Sequence, residues 1–272
     1  FLCPVPGYDR HFAVTKEFGI EMINVPMTSE GPDMDVIEKL VADDASIKGI
    51  WCVPLYSNPD GITYSEETCK RFASMKTAAE DFRIMWDNAY CVHHLSDDNQ
   101  DSVPDIIDLC EKEGNPDRVF VFASTSKITW AGAGISCIAS SPENVKYIKS
   151  HLNFQTIGSD KINQFRHVSF LKNYDNIKLL MKKHAEILRP KFEAVFKIMN
   201  ENLAGTGIAR WNEPKGGYFI SLFVPDNTAK RIVSLCKDCG VELTPAGATF
   251  PYSKDPNDNN IRIAPTFPPV AE

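Results

Sequence analysis

The segment from Ser124 to Gly134 contains the side chains of this sequence that are best suited to covalent chemistry. Lys127 follows the hydroxyl groups of Ser124 and Ser126, and the small residues after it would let the backbone approach a ligand closely. The apolar run of residues 119–123 is typical of a buried strand, so we expect the lysine at a strand end, with its amine free to enter a pocket. A Ser/Thr turn with a solvated lysine fits the same residues, and this segment alone leaves both interpretations open.

Three other polar side chains occur at or near predicted strands. Asn58 and Asp87 each follow an apolar run, and Arg262 lies inside a short strand-like segment near the end of the sequence. Ligands bind at the carboxyl ends of the strands in parallel sheets, so Asn58 and Asp87 are candidates for one site with the amine of Lys127. Each also has a plain structural explanation, because Asn-Pro is a common turn, aspartate is a common cap and an arginine can lie at a strand edge without a function.

Four motifs follow one another along the chain: Ser57-Asn58-Pro59-Asp60-Gly61, Asp87-Asn88-Ala89-Tyr90, Ser124-Thr125-Ser126-Lys127 and Ile261-Arg262-Ile263-Ala264. In this order they resemble the class I/II aminotransferases, which are pyridoxal 5'-phosphate (PLP) enzymes of fold type I, and among them the aspartate-aminotransferase-like subgroup. The resemblance covers nearly the whole chain, and four motifs in order are far more specific than any one of them.

The resemblance implies that PLP is the cofactor and that three of these residues are catalytic. Lys127 would bind the cofactor covalently and then move the Cα proton of the substrate. Asp87 would bond the pyridine nitrogen, whose protonated form makes the ring a stronger electron sink. Tyr90 would donate a hydrogen bond to the phenolic oxygen of the ring, where Asn58 would also bind.

Further contacts follow from the same resemblance. Ser124 and Ser126 would donate their hydroxyl groups to the cofactor phosphate. Tyr8 would stack on the cofactor ring, although a tyrosine that only packs a turn fits the sequence equally well. Arg262 would bind the substrate α-carboxylate through two parallel hydrogen bonds, with Asn58 beside it.

One position departs from the pattern of the family. Many members carry an arginine for the phosphate shortly after the lysine, and our alignment places Gly134 there. Lys161 and Arg166 are the candidates for the missing positive charge. Backbone amides of the glycine-containing segment could also form a nest for the phosphate.

The composition favours small-molecule chemistry. The chain has 272 residues and a net charge of −7, which argues against a surface for nucleic acid or anionic lipid. No apolar run approaches the ~20 residues of a membrane span, and the scattered cysteines are typical of reduced thiols. We therefore expect a cytoplasmic protein without a metal site, because His93, His94 and the Cys236-x-x-Cys239 pair have no further ligands at metal-binding spacing.

Strands that alternate with helices predict an α/β fold. We expect a mainly parallel sheet sandwiched by helices, the large domain of fold type I, in residues 1–172 and a smaller α+β domain in residues 173–272. A helix is predicted over residues 65–81. The two ends of the sequence suggest that both domains are incomplete, and the resemblance implies a preceding part with a phosphate-binding loop and residues that reach a partner subunit.

We therefore expect transfer of an amino group, with aspartate or glutamate as the leading donors, to a 2-oxo acid in a homodimer with a shared active site. Two alternatives stay open. The same cofactor also serves β-elimination and decarboxylation, which product analysis would distinguish. Some DNA-binding regulators carry an aminotransferase-like effector domain, which would predict a basic helix-turn-helix in the preceding part and little turnover.

Overall fold

A seven-stranded sheet forms the centre of the computed structural model, which describes residues 1–270. Its strands are β1 (Leu2–Val5), β2 (Ile23–Thr28), β3 (Gly31–Pro32), β4 (Gly49–Cys52), β5 (Arg83–Asp87), β6 (Val119–Ser124) and β7 (Ser136–Ala139). They lie in the order β3-β2-β1-β4-β5-β6-β7, and only the edge strands β3 and β7 run antiparallel to their neighbours. The predicted mainly parallel sheet is confirmed.

Helices cover both faces of this sheet. The first six helices are α1 (Asp9–Glu17), α2 (Met34–Asp43), α3 (Glu66–Ser74), α4 (Ile106–Lys112), α5 (Pro142–Gln155) and α6 (Lys161–Leu171). Neighbouring residues of β1 point to opposite faces: Leu2 packs in the core with residues of α2, α3 and α4, whereas Cys3 packs against Phe12 of α1. Burial on both faces explains why the central strands are apolar runs without alternation.

Helix α3 is shorter than the sequence predicts. The hydroxyl of Ser65 caps its start, as expected for a serine before an acidic first turn. The helix ends at Ser74, so the predicted extension to residue 81 is wrong. Arg118 explains the early end, because its Nη1 donates to the carbonyl oxygens of Ala73 and Met75 at 3.0 and 2.7 Å and so binds carbonyls that a longer helix would use internally.

A second, antiparallel sheet forms in the later part of the chain from β8 (Arg210–Trp211), β9 (Ile220–Phe223) and β10 (Asn260–Ile263), in the order β10-β9-β8. Helices α7 (Tyr174–Asn202) and α8 (Ala229–Asp238) pack on it through an apolar cluster that includes Phe192 and Ile261. This is the expected smaller α+β unit, and we propose its boundary at residues 172/173. Although α7 is long, no helix among residues 1–270 is apolar enough to cross a membrane.

The parallel strands β1, β4, β5 and β6 are neighbours, so their carboxyl ends lie along one edge of the large sheet. Tyr8 and Asn58 follow β1 and β4, Asp87 ends β5, and Lys127 follows β6. The topology therefore brings four candidate residues, which are far apart in sequence, to the same edge.

Candidate active site

The turn after β6 directs the amine of Lys127 towards Tyr90. The lysine Nζ lies 5.3 Å from the centre of the Tyr90 ring. The carbonyl oxygen of Lys127 accepts hydrogen bonds from the Tyr218 hydroxyl at 3.1 Å and from His93 Nε2 at 3.3 Å. The backbone of the lysine is thus fixed by two side chains while its amine faces the site.

Tyr90 is the buried centre of this group of residues. Burial raises the pKa of its hydroxyl, and the nearby Tyr8, Asp87 and Tyr218 raise it further, whereas Arg262 lowers it. The Tyr218 ring lies 5.7 Å from the Tyr90 ring, centre to centre. The raised pKa means that Tyr90 keeps its proton at neutral pH and can donate a hydrogen bond.

Asp87 is held by a histidine that the sequence interpretation missed. His11 Nε2 donates to Asp87 Oδ2 at 2.8 Å. The His11 ring is stacked on Trp51, with 4.3 Å between centroids and 10° between planes, and the edge of Tyr8 lies 5.0 Å away. The spacing could have revealed His11, because it lies three residues after Tyr8 on α1 and such residues share a helix face.

Arg262 joins the smaller sheet to the large one. Its Nη1 donates to Asp9 Oδ1 at 2.9 Å and to Asn58 Oδ1 at 3.3 Å, and its guanidinium carbon lies 4.9 Å from the centre of the Phe219 ring. The arginine side chain is only 10% exposed. No atom of residues 1–270 accepts a hydrogen bond from its Nη2. The sequence predicted that Asn58 and Arg262 would share a site, but it gave no signal for Asp9.

Ser124, Ser126 and Gly134 form a narrow polar cradle beside the lysine. The two hydroxyl oxygens are 2.6 Å apart, and Ser124 Oγ also accepts from the backbone amide of Ser126 at 3.0 Å. A Cβ atom at Gly134 would lie 2.5 Å from Ser126 Oγ and 2.9 Å from the Ser126 backbone nitrogen. The segment has no room for a side chain at Gly134, so the arginine that the family resemblance implies at this position cannot be accommodated in this conformation.

Neither candidate for the missing positive charge contacts this cradle. The guanidinium of Arg166 lies 5.0 Å from the centre of the Trp130 ring, on the exposed side of α6. Lys161 is exposed at the start of α6. Within residues 1–270 neither side chain bonds to Ser124 or Ser126.

The two histidines after Tyr90 have structural contacts. His93 is buried, and burial lowers its pKa to about 4. His94 Nδ1 pairs with the hydroxyl of Tyr56 at 2.7 Å. Residues 1–270 contain no group of three or more His, Cys, Asp or Glu side chains placed to bind a metal ion.

A small cleft lies next to the Asp87–His11 pair. Tyr8, His11, Trp51 and Asn58 are among its lining residues. Its walls are mainly aromatic and apolar, with the amide of Asn58 among them, and neither Asp87 nor Lys127 lines it.

The aspartate amino-transferase family model matches residues 1–272, the whole chain. The chain belongs to this family. The predicted resemblance to fold type I aminotransferases is thereby confirmed, and the mixed α/β model agrees with the family architecture.

Two curated relatives match over the full length of the chain. A Mycolicibacterium smegmatis protein named as an aminotransferase is 54% identical, and the chain covers 63% of its length. An aspartate aminotransferase of Corynebacterium glutamicum is 48% identical, with 62% of its length covered. The chain thus spans less than two thirds of the relatives it matches.

Solved structures agree with the model. The aspartate transaminase of Corynebacterium glutamicum matches with a TM-score of 0.96 at 49% identity, covering 99% of this chain and 63% of that one. The α-aminoadipate aminotransferase of Thermus thermophilus, solved with N-(5'-phosphopyridoxyl)-L-leucine, matches with a TM-score of 0.83 at 19% identity, covering 99% and 67%. The second likeness concerns the fold alone.

Proposed function

We propose that the protein is a PLP-dependent aminotransferase that moves the amino group of aspartate or glutamate to a 2-oxo acid. The observation that carries this proposal is that the amine of Lys127 lies 5.3 Å from the centre of the Tyr90 ring, with Asp87 at the end of the neighbouring strand β5 and Arg262 bonded to Asn58. Membership of the aspartate amino-transferase family supports the same chemistry. Because the relatives are longer than this chain, the activity is assigned to the full-length protein.

Lys127 would hold the cofactor and move protons in this proposal. When bound, PLP supplies a conjugated ring that accepts the electron pair left on Cα after the proton leaves. The Lys127 amine would bind the cofactor and, when free, would take the proton from Cα of the amino acid and hold it for return. The two bonds to its carbonyl oxygen hold the backbone still during this exchange.

Asp87, Tyr90 and Asn58 would bind the ring. The Asp87 carboxylate accepts from His11 on one side and would accept from the pyridine nitrogen on the other, keeping that nitrogen protonated. Tyr90 and Asn58 would donate to the phenolic oxygen. The raised pKa of Tyr90 supports its role as a donor.

Arg262 would bind the α-carboxylate of the substrate and thereby orient the Cα–H bond. A guanidinium can form two parallel bonds to a carboxylate, and Nη2 has no partner within residues 1–270. Asp9 and Asn58 hold Nη1, which fixes the plane of the guanidinium. We propose that a second cation for the distal carboxylate of a dicarboxylic substrate comes from the partner subunit or from the part of the relatives that this chain lacks.

Ser124 and Ser126 would donate hydroxyl groups to the cofactor phosphate. The absence of room at Gly134 supports a cradle made of hydroxyls and backbone amides, which can approach a phosphate closely. We propose that the compensating positive charge comes from outside segment 124–134.

A homodimer in the cytoplasm completes the proposal. Large apolar side chains of α5, α6 and their connection are exposed, as expected for a surface that another chain covers: Phe154, Ile157, Ile162 and Phe165. All eight cysteines are free, in agreement with a reducing compartment. Sedimentation of the full-length protein would test the dimer.

The decisive experiment uses the full-length protein and its Lys127→Ala variant, with Lys146→Ala as the control because Lys146 is exposed on α5. We expect the wild type and the control to show the visible absorption of bound PLP and to convert aspartate and 2-oxoglutarate into oxaloacetate and glutamate. The Lys127 variant should lose both. Retention of the absorption band and turnover by the Lys127 variant would refute the proposal.

Product analysis separates the alternatives in the same experiment. Alanine formed from aspartate would indicate decarboxylation, and pyruvate with ammonia formed from cysteine would indicate β-elimination. Binding of PLP with negligible turnover of every amino acid tested would favour an effector-binding domain.

A further inference from the structure

His167 of α6 is buried against the turn that carries Lys127. It is 1% exposed, and its Nε2 lies 3.0 Å from Thr125 Oγ1 and 2.8 Å from Thr129 Oγ1. Its Nδ1 lies 2.9 Å from the carbonyl oxygen of Asn163. The two threonines stand two residues before and two residues after Lys127, so one imidazole contacts both sides of the lysine.

The hydrogen-bond partners determine how the ring is used. The carbonyl oxygen of Asn163 can only accept, so Nδ1 carries a hydrogen. In the neutral ring, Nε2 is then an acceptor for a threonine hydroxyl. Apart from Nε2, each hydroxyl has a backbone carbonyl oxygen as an acceptor. Thr129 Oγ1 lies 3.2 Å from the oxygen of Thr125, and Thr125 Oγ1 lies 3.4 Å from the oxygen of Ile135. Nε2 has one lone pair and accepts from one hydroxyl at a time, and to either threonine it is a nearer acceptor than the backbone carbonyl.

Helix α6 holds the same turn at further points. Asn163 Nδ2 donates to the carbonyl oxygen of Ala133 at 2.9 Å. The ring of Trp130 meets His167 edge-on at 5.2 Å and Phe170 at 5.1 Å. Together these contacts fix the turn from the α6 side.

The opposite side of the turn is bound by Tyr218 and His93, which both donate to the carbonyl oxygen of Lys127. The lysine thus lies between two sets of contacts, and its amine is left as the mobile group. A turn restrained on both sides limits the positions that Nζ can reach.

We propose that His167 is a positioning residue for Lys127, acting through the hydroxyls of Thr125 and Thr129. This inference rests on the proposed aminotransferase function, in which Lys127 binds PLP and moves the Cα proton. His167 touches neither of the groups that would react. Its effect is to keep the Lys127 amine at the distance and angle that proton transfer requires.

The expected defect follows from this geometry. A displacement of about 1 Å at a reacting group can lower a rate about 100-fold, so a loosened turn should lower kcat by about 10- to 100-fold. The KM of the amino donor should change less than about twofold, since Arg262 lies on β10 and its hydrogen bonds to Asp9 and Asn58 do not involve α6. A structural defect alone would lower the amount of folded enzyme and would leave kcat per cofactor unchanged.

The test uses the full-length protein with His167→Phe and His167→Gln. Phe fills the volume without a polar atom, and Gln can place an amide near the threonine hydroxyls. His151→Gln is the matched control, because His151 is exposed on α5. The measurements are kcat per bound cofactor, the KM of aspartate, the rate at which the apoprotein captures added PLP, and the pH midpoint of the cofactor absorption band.

We expect His167→Phe to lower kcat and the capture rate and to shift the pH midpoint, with partial rescue in His167→Gln and no change in His151→Gln. If the Phe variant does not fold, Thr129→Val tests the same contact at equal volume and should show the same pattern. Wild-type values of kcat, capture rate and pH midpoint in folded Phe or Val variants would overturn the role of His167. A wild-type protein without a cofactor band or turnover would instead refute the proposed function itself.

Discussion

His11 Nε2 donates to Asp87 Oδ2 at 2.8 Å, and this bond joins the first turn of α1 to the end of β5. Trp51 stacks on a face of the histidine ring, with 4.3 Å between the ring centres. The Asp87 carboxylate is thus held by a side chain that is itself fixed by packing. Within residues 1–270, Oδ2 is bound in this way and Oδ1 has no hydrogen-bond partner.

Replacing His11 by Phe should weaken PLP binding. Phe keeps a ring against Trp51 but removes the hydrogen bond to Asp87. A hydrogen bond to a charged group contributes about 1.5 to 3 kcal/mol, so we expect the Kd of PLP to rise about 10- to 100-fold. Titration of the full-length apoprotein with PLP measures this, with His151→Phe as the control for a histidine far from the site. A Kd within twofold of wild type would mean that His11 does not position Asp87.

Substituting Gly134 by Ala should disturb the cradle selectively. The new Cβ would lie 2.5 Å from Ser126 Oγ, so Ser126 must move. Overpacking of this kind costs about 1 to 3 kcal/mol. We expect PLP to lose about 10-fold or more in affinity, while pyridoxal, which lacks the phosphate, loses much less.

Gly158→Ala is the matched control for this change. Within residues 1–270, a Cβ at Gly158 would meet only Lys161 Nζ, at 3.8 Å. The Gly158→Ala variant should therefore keep the wild-type affinity for PLP. Equal losses for PLP and pyridoxal in Gly134→Ala would show that the cradle does not bind the phosphate.

The sequence predicts the part of the site that depends on strand ends. The apolar runs before Asn58, Asp87 and Lys127 are long enough to identify strands, and parallel strands place their ends at one edge of a sheet. That rule requires no knowledge of side-chain packing. The α/β fold and the convergence of these three residues were therefore accessible before the structure.

Contacts that depend on tertiary packing were not accessible in this way. The pairing of Arg262 with Asp9 links residues 253 positions apart, and no local pattern encodes it. Helix α3 ends early because Arg118, from a distant segment, binds its last carbonyls. The contacts of His167 likewise depend on which face of α6 packs against the turn of Lys127, and the sequence does not specify that face.

Arg262→Lys should impair substrate recognition more than cofactor binding. A lysine retains the charge but cannot form two parallel bonds to a carboxylate. Loss of one charge-assisted hydrogen bond should lower kcat/KM for aspartate about 10- to 100-fold, with the Kd of PLP changed by less than about threefold. Arg210→Lys is the control, because Arg210 is exposed and lies over Phe223. A variant that loses PLP affinity and keeps kcat/KM would contradict a substrate role for Arg262.

Asp60, two residues after Asn58, should make stability depend on pH. Burial raises its pKa from 3.8 to about 6, although the nearby Ser221 hydroxyl and the charge of Arg210 partly oppose this. The folded protein therefore holds this proton more tightly than the unfolded chain. The resulting stabilisation is complete below about pH 3.8 and is lost as the pH rises through about 6.

Asp60→Asn isolates this effect because it removes the titrating group at nearly constant volume. A shift of about two pKa units corresponds to about 3 kcal/mol. The free energy of unfolding of the variant should therefore equal that of wild type near pH 4 and exceed it by up to about 3 kcal/mol at pH 7.5. Urea unfolding of both full-length proteins across this range measures the difference in free energy of unfolding. A difference that stays constant with pH would show that Asp60 has an ordinary pKa in the folded protein.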